Sequence, residues 1–159
     1  MDLRLLYALL LTIMPVTELR VGLPIAVIYA IEHNIPISLI FLTIILTNIL
    51  IIFFIFYFLD NINSFFMKFN FYNRIFGRIL KKFQKKVNSF EKRYKTIGFL
   101  ALIFFVAIPF PGTGVWSGSL ISWILDLNRK KSIAAISLGV VIAGILVLFG
   151  TLGFINLFS

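Results

Sequence analysis

Pro15-Val-Thr-Glu-Leu-Arg-Val-Gly-Leu-Pro24 sets an acid, Glu18, and a base, Arg20, between two prolines inside the first of several long apolar runs. An ionisable side chain at the middle of a membrane helix costs about 2.5–3.5 kcal/mol on insertion scales, so such groups face protein or line a substrate or ion path. A second interruption, Ile108-Pro-Phe-Pro-Gly-Thr-Gly-Val-Trp-Ser-Gly118, occupies the corresponding part of the other half. Paired Pro/Gly interruptions of hydrophobic segments point to a transporter of two repeats with its binding site at the midplane.

Composition supports a bilayer setting. Hydrophobic residues make up 60% of the 159 and charged residues 13%, about half the charged share of a water-soluble domain, and the mean hydropathy is +1.04. The net charge of +9 does not indicate nucleic acid, because ten of the fifteen Lys and Arg residues fall between Lys68 and Lys95, between apolar segments. Basic residues in a short loop between spans report a cytoplasmic loop of a cell-membrane protein. There is no cysteine, which removes disulfides, thiol catalysis and thiolate metal sites. Asp2 and Arg4 make a poor signal-peptide start and no small-residue cleavage site follows, so the first apolar run is expected to be retained.

Four apolar stretches are long enough to span: 3–31, 36–59, 97–125 and 132–158. The second and fourth read as ordinary transmembrane helices. The first is interrupted by Pro15 and Pro24, the third by Pro109, Pro111, Gly112, Gly114 and Gly118, and proline removes a helical hydrogen bond. Residues 60–96 and Arg129-Lys130-Lys131 are both basic. They lie on one face only if stretch 97–125 dips in and returns, and by the same logic 3–31 dips in from the other face. The expected fold is an all-α integral membrane protein of one domain, 1–159. Repeat 1 (1–59) and repeat 2 (97–159) each join a re-entrant helical hairpin to a transmembrane helix, and a basic linker, 60–96, separates them. Shifting the chain by 96 positions lays Pro15 on Pro111, Thr17 on Thr113, Gly22 on Gly118 and Pro36 on Ser132, in keeping with an inverted repeat. Within the linker, Phe76, Leu80, Phe83, Val87, Phe90 and Tyr94 recur at steps of four and three among basic residues. That spacing predicts a basic amphipathic helix lying on anionic headgroups.

The chemistry-bearing candidates gather at the two interruptions. Glu18 is the only acid expected at depth, and a carboxylate out of water is suited to exchange a proton or bind a cation; the alternative is a fixed partner for Arg20 that holds the fold. Residues two apart do not share a helix face, so an ion pair between them requires the non-helical backbone that the prolines and Gly22 favour. The planar fork of Arg20 matches phosphate or carboxylate. Gly112, Thr113 and Gly114 offer backbone N–H groups at the start of a returning helix, which favours anions, or they merely permit a tight turn. Thr17 and Thr113 are candidates to line one cavity from opposite sides, and Trp116 to wall it or to anchor at the interface. His33 is solitary, and no metal or cofactor is expected. Asn48 reads as an interhelical hydrogen bond, Trp123 as an interfacial anchor, and Asp126 and Asn128 as turn residues. With no catalytic triad, carboxylate pair or P-loop, the sequence does not suggest an enzyme.

Thr17-Glu18-Leu19-Arg20-x-Gly22-x-Pro24 and Pro109-x-Pro111-Gly112-Thr113-Gly114-x-Trp116-x-Gly118 resemble the small multidrug-export family, itself similar to the DedA/VTT membrane proteins. The resemblance covers nearly the whole chain. It implies an inverted repeat with hairpin tips meeting at the membrane centre and, on the DedA side, proton-linked translocation of an anionic lipid such as polyprenyl phosphate, or lipid scrambling. DedA-type proteins carry arginines around the second motif, whereas residues 108–125 contain none and leave Arg20 the only deep cation. The leading expectation is therefore a proton-coupled transporter of an anionic lipid carrier or similar amphiphile, with membrane lipids and protons as partners. Efflux of lipophilic cations and a non-transporting scaffold are the alternatives. Homodimerisation suits so small a transporter, but no motif specifies it.

Overall fold

The computed structural model describes residues 3–66 and 93–158, with side chains described for 3–62 and 97–157. Among these residues every regular element is helical: α1 Leu3–Ile13, α2 Glu18–Glu32, α3 Ile37–Phe66, α4 Arg93–Ala107, α5 Val115–Ile124 and α6 Arg129–Phe158. The basic amphipathic helix expected over 76–94 falls almost entirely outside the described residues.

Among the described residues, only α3 and α6 contain segments long and apolar enough to cross a membrane, Ile37–Ile62 and Arg129–Leu157. Their outward faces are apolar as well: Leu46, Leu50, Phe53 and Phe54 on α3 and Leu146 and Phe149 on α6 are exposed. Water would penalise so continuous an apolar surface, whereas hydrocarbon accepts it. Inside, Ile44, Ile52 and Ile55 of α3 pack with Leu19, Leu23 and Val27 of α2, Val106 of α4, Val115 of α5 and Ile136 and Val140 of α6. Glycines bring the helices close. A Cβ on Gly22 would meet Thr12 Oγ1 and lie 2.7 Å from the Ala8 carbonyl of α1, and one on Gly118 would lie 2.7 Å from Val106 Cγ2 of α4. Small residues serve this purpose in membranes, where close backbone approach replaces hydrophobic drive.

The two short helices that precede the long ones end alike. In α2, Asn34 adopts φ 54°, its N–H donates to the Ile31 carbonyl at 3.4 Å, and the Ile35 N–H donates to the Ala30 carbonyl at 2.9 Å. In α5, Asp126 adopts φ 51°, its N–H donates to the Trp123 carbonyl at 3.1 Å, and the Leu127 N–H donates to the Ser122 carbonyl at 3.0 Å. Both are Schellman ends, with Asn or Asp in the left-handed position that glycine usually takes. The long helices that follow are 30 residues each.

Three expectations change in detail. Pro24 does not break the first stretch but sits inside α2; it withdraws one donor, from the Arg20 carbonyl, and the helix continues. The chain breaks only around Pro15, between α1 and α2. α3 runs on to Phe66, past the boundary expected at residue 59, and α6 begins at Arg129 rather than 132. Consequently Pro36 does not correspond to Ser132. The shift is 96 at the interruptions but 92 from Asn34 to Asp126 and from Ile37 to Arg129, because Gly22 precedes Asn34 by twelve residues and Gly118 precedes Asp126 by eight. The second half is one helical turn shorter here.

Candidate functional site

Four helix ends converge on Glu18 and Arg20. α1 and α4 arrive with their C-termini, and α2 and α5 leave with their N-termini. Glu18, the first residue of α2, is left-handed at φ 45°, a conformation that costs a non-glycine residue about 1–2 kcal/mol. This backbone lets two residues so close in sequence pair: Arg20 Nη1 lies 2.7 Å from Glu18 Oε2, with side chains 9% and 3% exposed. Strain of this kind persists where surrounding structure fixes it, commonly at functional sites.

The other contacts of the carboxylate come from the second half of the chain. Val115 N–H donates to Oε2 at 3.3 Å and Trp116 N–H donates to Oε1 at 3.2 Å. These are among the unpaired donors that open α5. Gly114, the residue before the helix, has extended backbone and no side chain to cap it, so Glu18 supplies the cap from 97 residues away. A negative charge there also complements the positive end of the α5 dipole.

Arg20 does the converse for α4. Its Nη2 lies 2.9 Å from the Ile108 carbonyl, 3.5 Å from that of Val106 and 3.1 Å from Thr113 Oγ1, and it donates to the Thr113 carbonyl. A cation thus meets the carbonyl end of a helix. Thr113 Oγ1 also holds the turn, donating toward the carbonyls of Ile108 at 2.7 Å and Phe110 at 2.8 Å. Trp116 returns a bond to the first half, its indole N–H donating to the Ile13 carbonyl at the end of α1 at 3.0 Å. At a shift of 96, Arg20 corresponds to Trp116 and Glu18 to Gly114. Each member of the first couple caps the helix that ends in the opposite half. The second couple share one space: a Cβ on Gly114 would fall on the Glu18 carboxylate.

The expected site residues therefore separate. Glu18, Arg20, Thr113, Gly114 and Trp116 meet at the junction. Thr17 adjoins it, with Oγ1 donating to the Leu11 carbonyl at 2.5 Å. Gly22 packs on α1, and Pro24 is half-buried further along α2. Pro109, Pro111 and Gly112 lie on the exposed outer turn, where Gly112 takes φ 87°. Sequence reasoning missed the N–H groups of Val115 and the carbonyls of Val106, Ile108 and Ile13. One signal pointed to the first of these: a helix opened by Gly114 has no side-chain cap of its own, and Glu18 is the acid of the other interruption.

Elsewhere, Asp60 on α3 receives Arg129 in a two-pronged pair, at 2.7 Å to Oδ2 and 2.9 Å to Oδ1, together with the Trp123 indole N–H at 3.0 Å. Trp123 thus has a defined partner beyond the interfacial role expected of it. Arg4 pairs with Glu32 at 3.1 Å at the other end of α2. Asn48 is fully buried, but its Nδ2 donates within its own helix, to the Ile44 carbonyl at 3.0 Å, and makes no interhelical bond among the described residues. Those residues contain no group of three or more metal-ligating side chains.

Compared with known families, residues 18–146 match the profile described as "Putative small multi-drug export protein". The chain belongs to this family. The match opens at Glu18 and takes in Arg20 and the whole second interruption, so every charged and backbone donor at the junction lies within the small multi-drug export region, whereas α1 precedes it. No curated protein and no solved structure matches the chain.

Proposed function

We propose that this small multi-drug export family protein is a proton-coupled transporter of the cell membrane, moving an anionic lipid carrier such as polyprenyl phosphate, or a similar amphiphile, past the Glu18–Arg20 junction. The observation that carries the reading is that Arg20 Nη1 and the N–H groups of Val115 and Trp116 all converge on one buried carboxylate. Such a set of donors suits an anion, and Glu18 occupies it. Protonating Glu18 removes the charge those donors hold. They are then released to an anionic headgroup, and deprotonation restores the closed junction.

The proposal takes the chain as an inverted repeat of re-entrant hairpins, 3–31 and 97–125, each followed by a spanning helix. Helix lengths favour it. From Glu32 to Glu18 is about 21 Å of α2 and from Val115 to Trp123 about 12 Å of α5, together about 33 Å, against about 35 Å from Ile37 to Asp60 along α3. Two half-helices meeting at their N-termini thus cover the distance one long helix crosses, close to the roughly 30 Å of hydrocarbon. The Asp60–Arg129 pair brings the end of α3 and the start of α6 to one level. Under the positive-inside rule this level is cytoplasmic, because the basic stretch 60–96 begins at this end of α3 in the sequence. Membrane lipids and protons are the partners, and a homodimer accommodates so small a transporter.

The test is translocation of a polyprenyl phosphate in liposomes with and without a pH gradient, wild type against Glu18→Gln. Gradient-driven movement lost in the variant supports the reading; no movement by folded wild type overturns it. Efflux of lipophilic cations is the second reading. The family description and the presence of a single buried acid at the junction favour it, and it is then Glu18→Gln rather than Arg20→Gln that abolishes transport.

A further inference from the structure

Among the described residues, four buried side-chain polar atoms lack a hydrogen-bond partner: Arg20 Nε at the junction, Asn48 Oδ1 in the middle of α3, and Ser119 Oγ and Ser122 Oγ on α5, a helix that packs on α3. Asn48 and Ser119 are 0% exposed and Ser122 is 1%. Buried polar groups are otherwise paired almost without exception, and an orphaned one costs about 1–3 kcal/mol. The remaining buried hydroxyl near the junction, that of Thr12, follows the rule and donates to the Ala8 carbonyl at 2.8 Å. The two hydroxyls left over on α5 and the donor left over on Arg20 are partners of the kind that buried water requires.

These groups have a direction. Ser119 and Ser122 are three apart, hence on one face of α5, between the end that caps on Glu18 and the end where Trp123 meets Asp60. In α2 the positions corresponding to Ser119 and Ser122 are Leu23 and Ala26, and the buried face continues through Val27 and Ala30, all 0% exposed. One half-helix leads away from Glu18 with hydroxyls and the other with hydrocarbon.

We infer that Ser119 and Ser122 hold a file of water that delivers protons to Glu18 from the Asp60–Arg129 face alone, the α2 side being lined by hydrocarbon. This inference rests on the reading of Glu18 as the proton acceptor. A proton entering beside Asp60 passes by successive transfers, each water or hydroxyl accepting one proton and releasing another, and the last is taken up by a Glu18 carboxylate oxygen. Among the described residues no titratable side chain interrupts the route. Arg20 is the only charged group in contact with Glu18, and α1, α3, α4, α5 and α6 bring none to the junction among the described residues.

The measurement is the rate at which the Glu18 carboxyl infrared band appears after acid is added to one side of oriented proteoliposomes, with Glu18→Gln assigning the band. Wild type protonates at least ten-fold faster from the Asp60–Arg129 side than from the other. Ser119→Ala/Ser122→Ala slows this by at least ten-fold without changing the final extent, and Ser119→Thr restores it. Equal rates from both sides, or an unslowed serine pair, overturn the route while leaving Glu18 as proton acceptor. A band that responds to acid on neither side overturns both.

Discussion

The carboxylate of Glu18 lies in the space where a side chain on Gly114 would begin. Position 114 is therefore constrained by what stands opposite it rather than by its own backbone, which is extended and open to any residue. Gly114→Ala should cost about 1–3 kcal/mol as an overpacked site. In a Glu18→Ala background the same methyl has room, and the penalty should fall below about 0.5 kcal/mol. Thermal unfolding of the four proteins in detergent closes the cycle; equal penalties in the two backgrounds refute the shared space.

Arg20 holds a carboxylate and the end of α4 at once. Arg20→Gln leaves a buried carboxylate with only its two N–H donors, and breaking one side of a buried pair costs about 3–5 kcal/mol. Glu18→Gln/Arg20→Gln removes both charges and should be less destabilised than the sum of the single variants. Arg20→Lys cannot reproduce a planar fork that serves both groups and should recover less than half of the loss. Unfolding midpoints for the four variants decide this.

The Asp60–Arg129 pair has equally good geometry, but its side chains are 44% and 49% exposed. Solvent screening limits such a pair to about 1 kcal/mol or less. Asp60→Asn should therefore shift unfolding only slightly, and raising the salt concentration should shrink the wild-type advantage further. A loss above about 2 kcal/mol would show that this end is far drier than its exposure indicates.

The chain has no cysteine, so single reporters can be placed without background. Cysteines at 76 and 128 should react with a membrane-impermeant maleimide from one side and a cysteine at 33 from the other. Labelling of 76 and 128 from opposite sides would mean that 97–125 crosses rather than returns.

The sequence made Glu18 and Arg20 conspicuous because charge in an apolar run is costly, and it placed Thr113, Gly114 and Trp116 close to them. Beyond the uncapped helix start at Gly114, nothing marked their partners, for a physical reason: the N–H groups of Val115 and Trp116 and the carbonyls of Val106 and Ile108 are backbone atoms, which every residue carries. The missing turn in α5 was hidden too. The three identities at a shift of 96 lie on the near side of it, and only the left-handed Asn34 and Asp126, which share no letter, reveal the change to 92. Pro24 misled in the opposite sense, because a proline within a helix costs one bond and does not oblige the helix to stop.

Two identical halves could not build the Glu18–Gly114 arrangement. A symmetric pair would bring either two acids or two glycines to the same spot, the first colliding and the second leaving both half-helices without an anion. The two halves are therefore complementary rather than interchangeable: one presents the acid and the other the space that receives it.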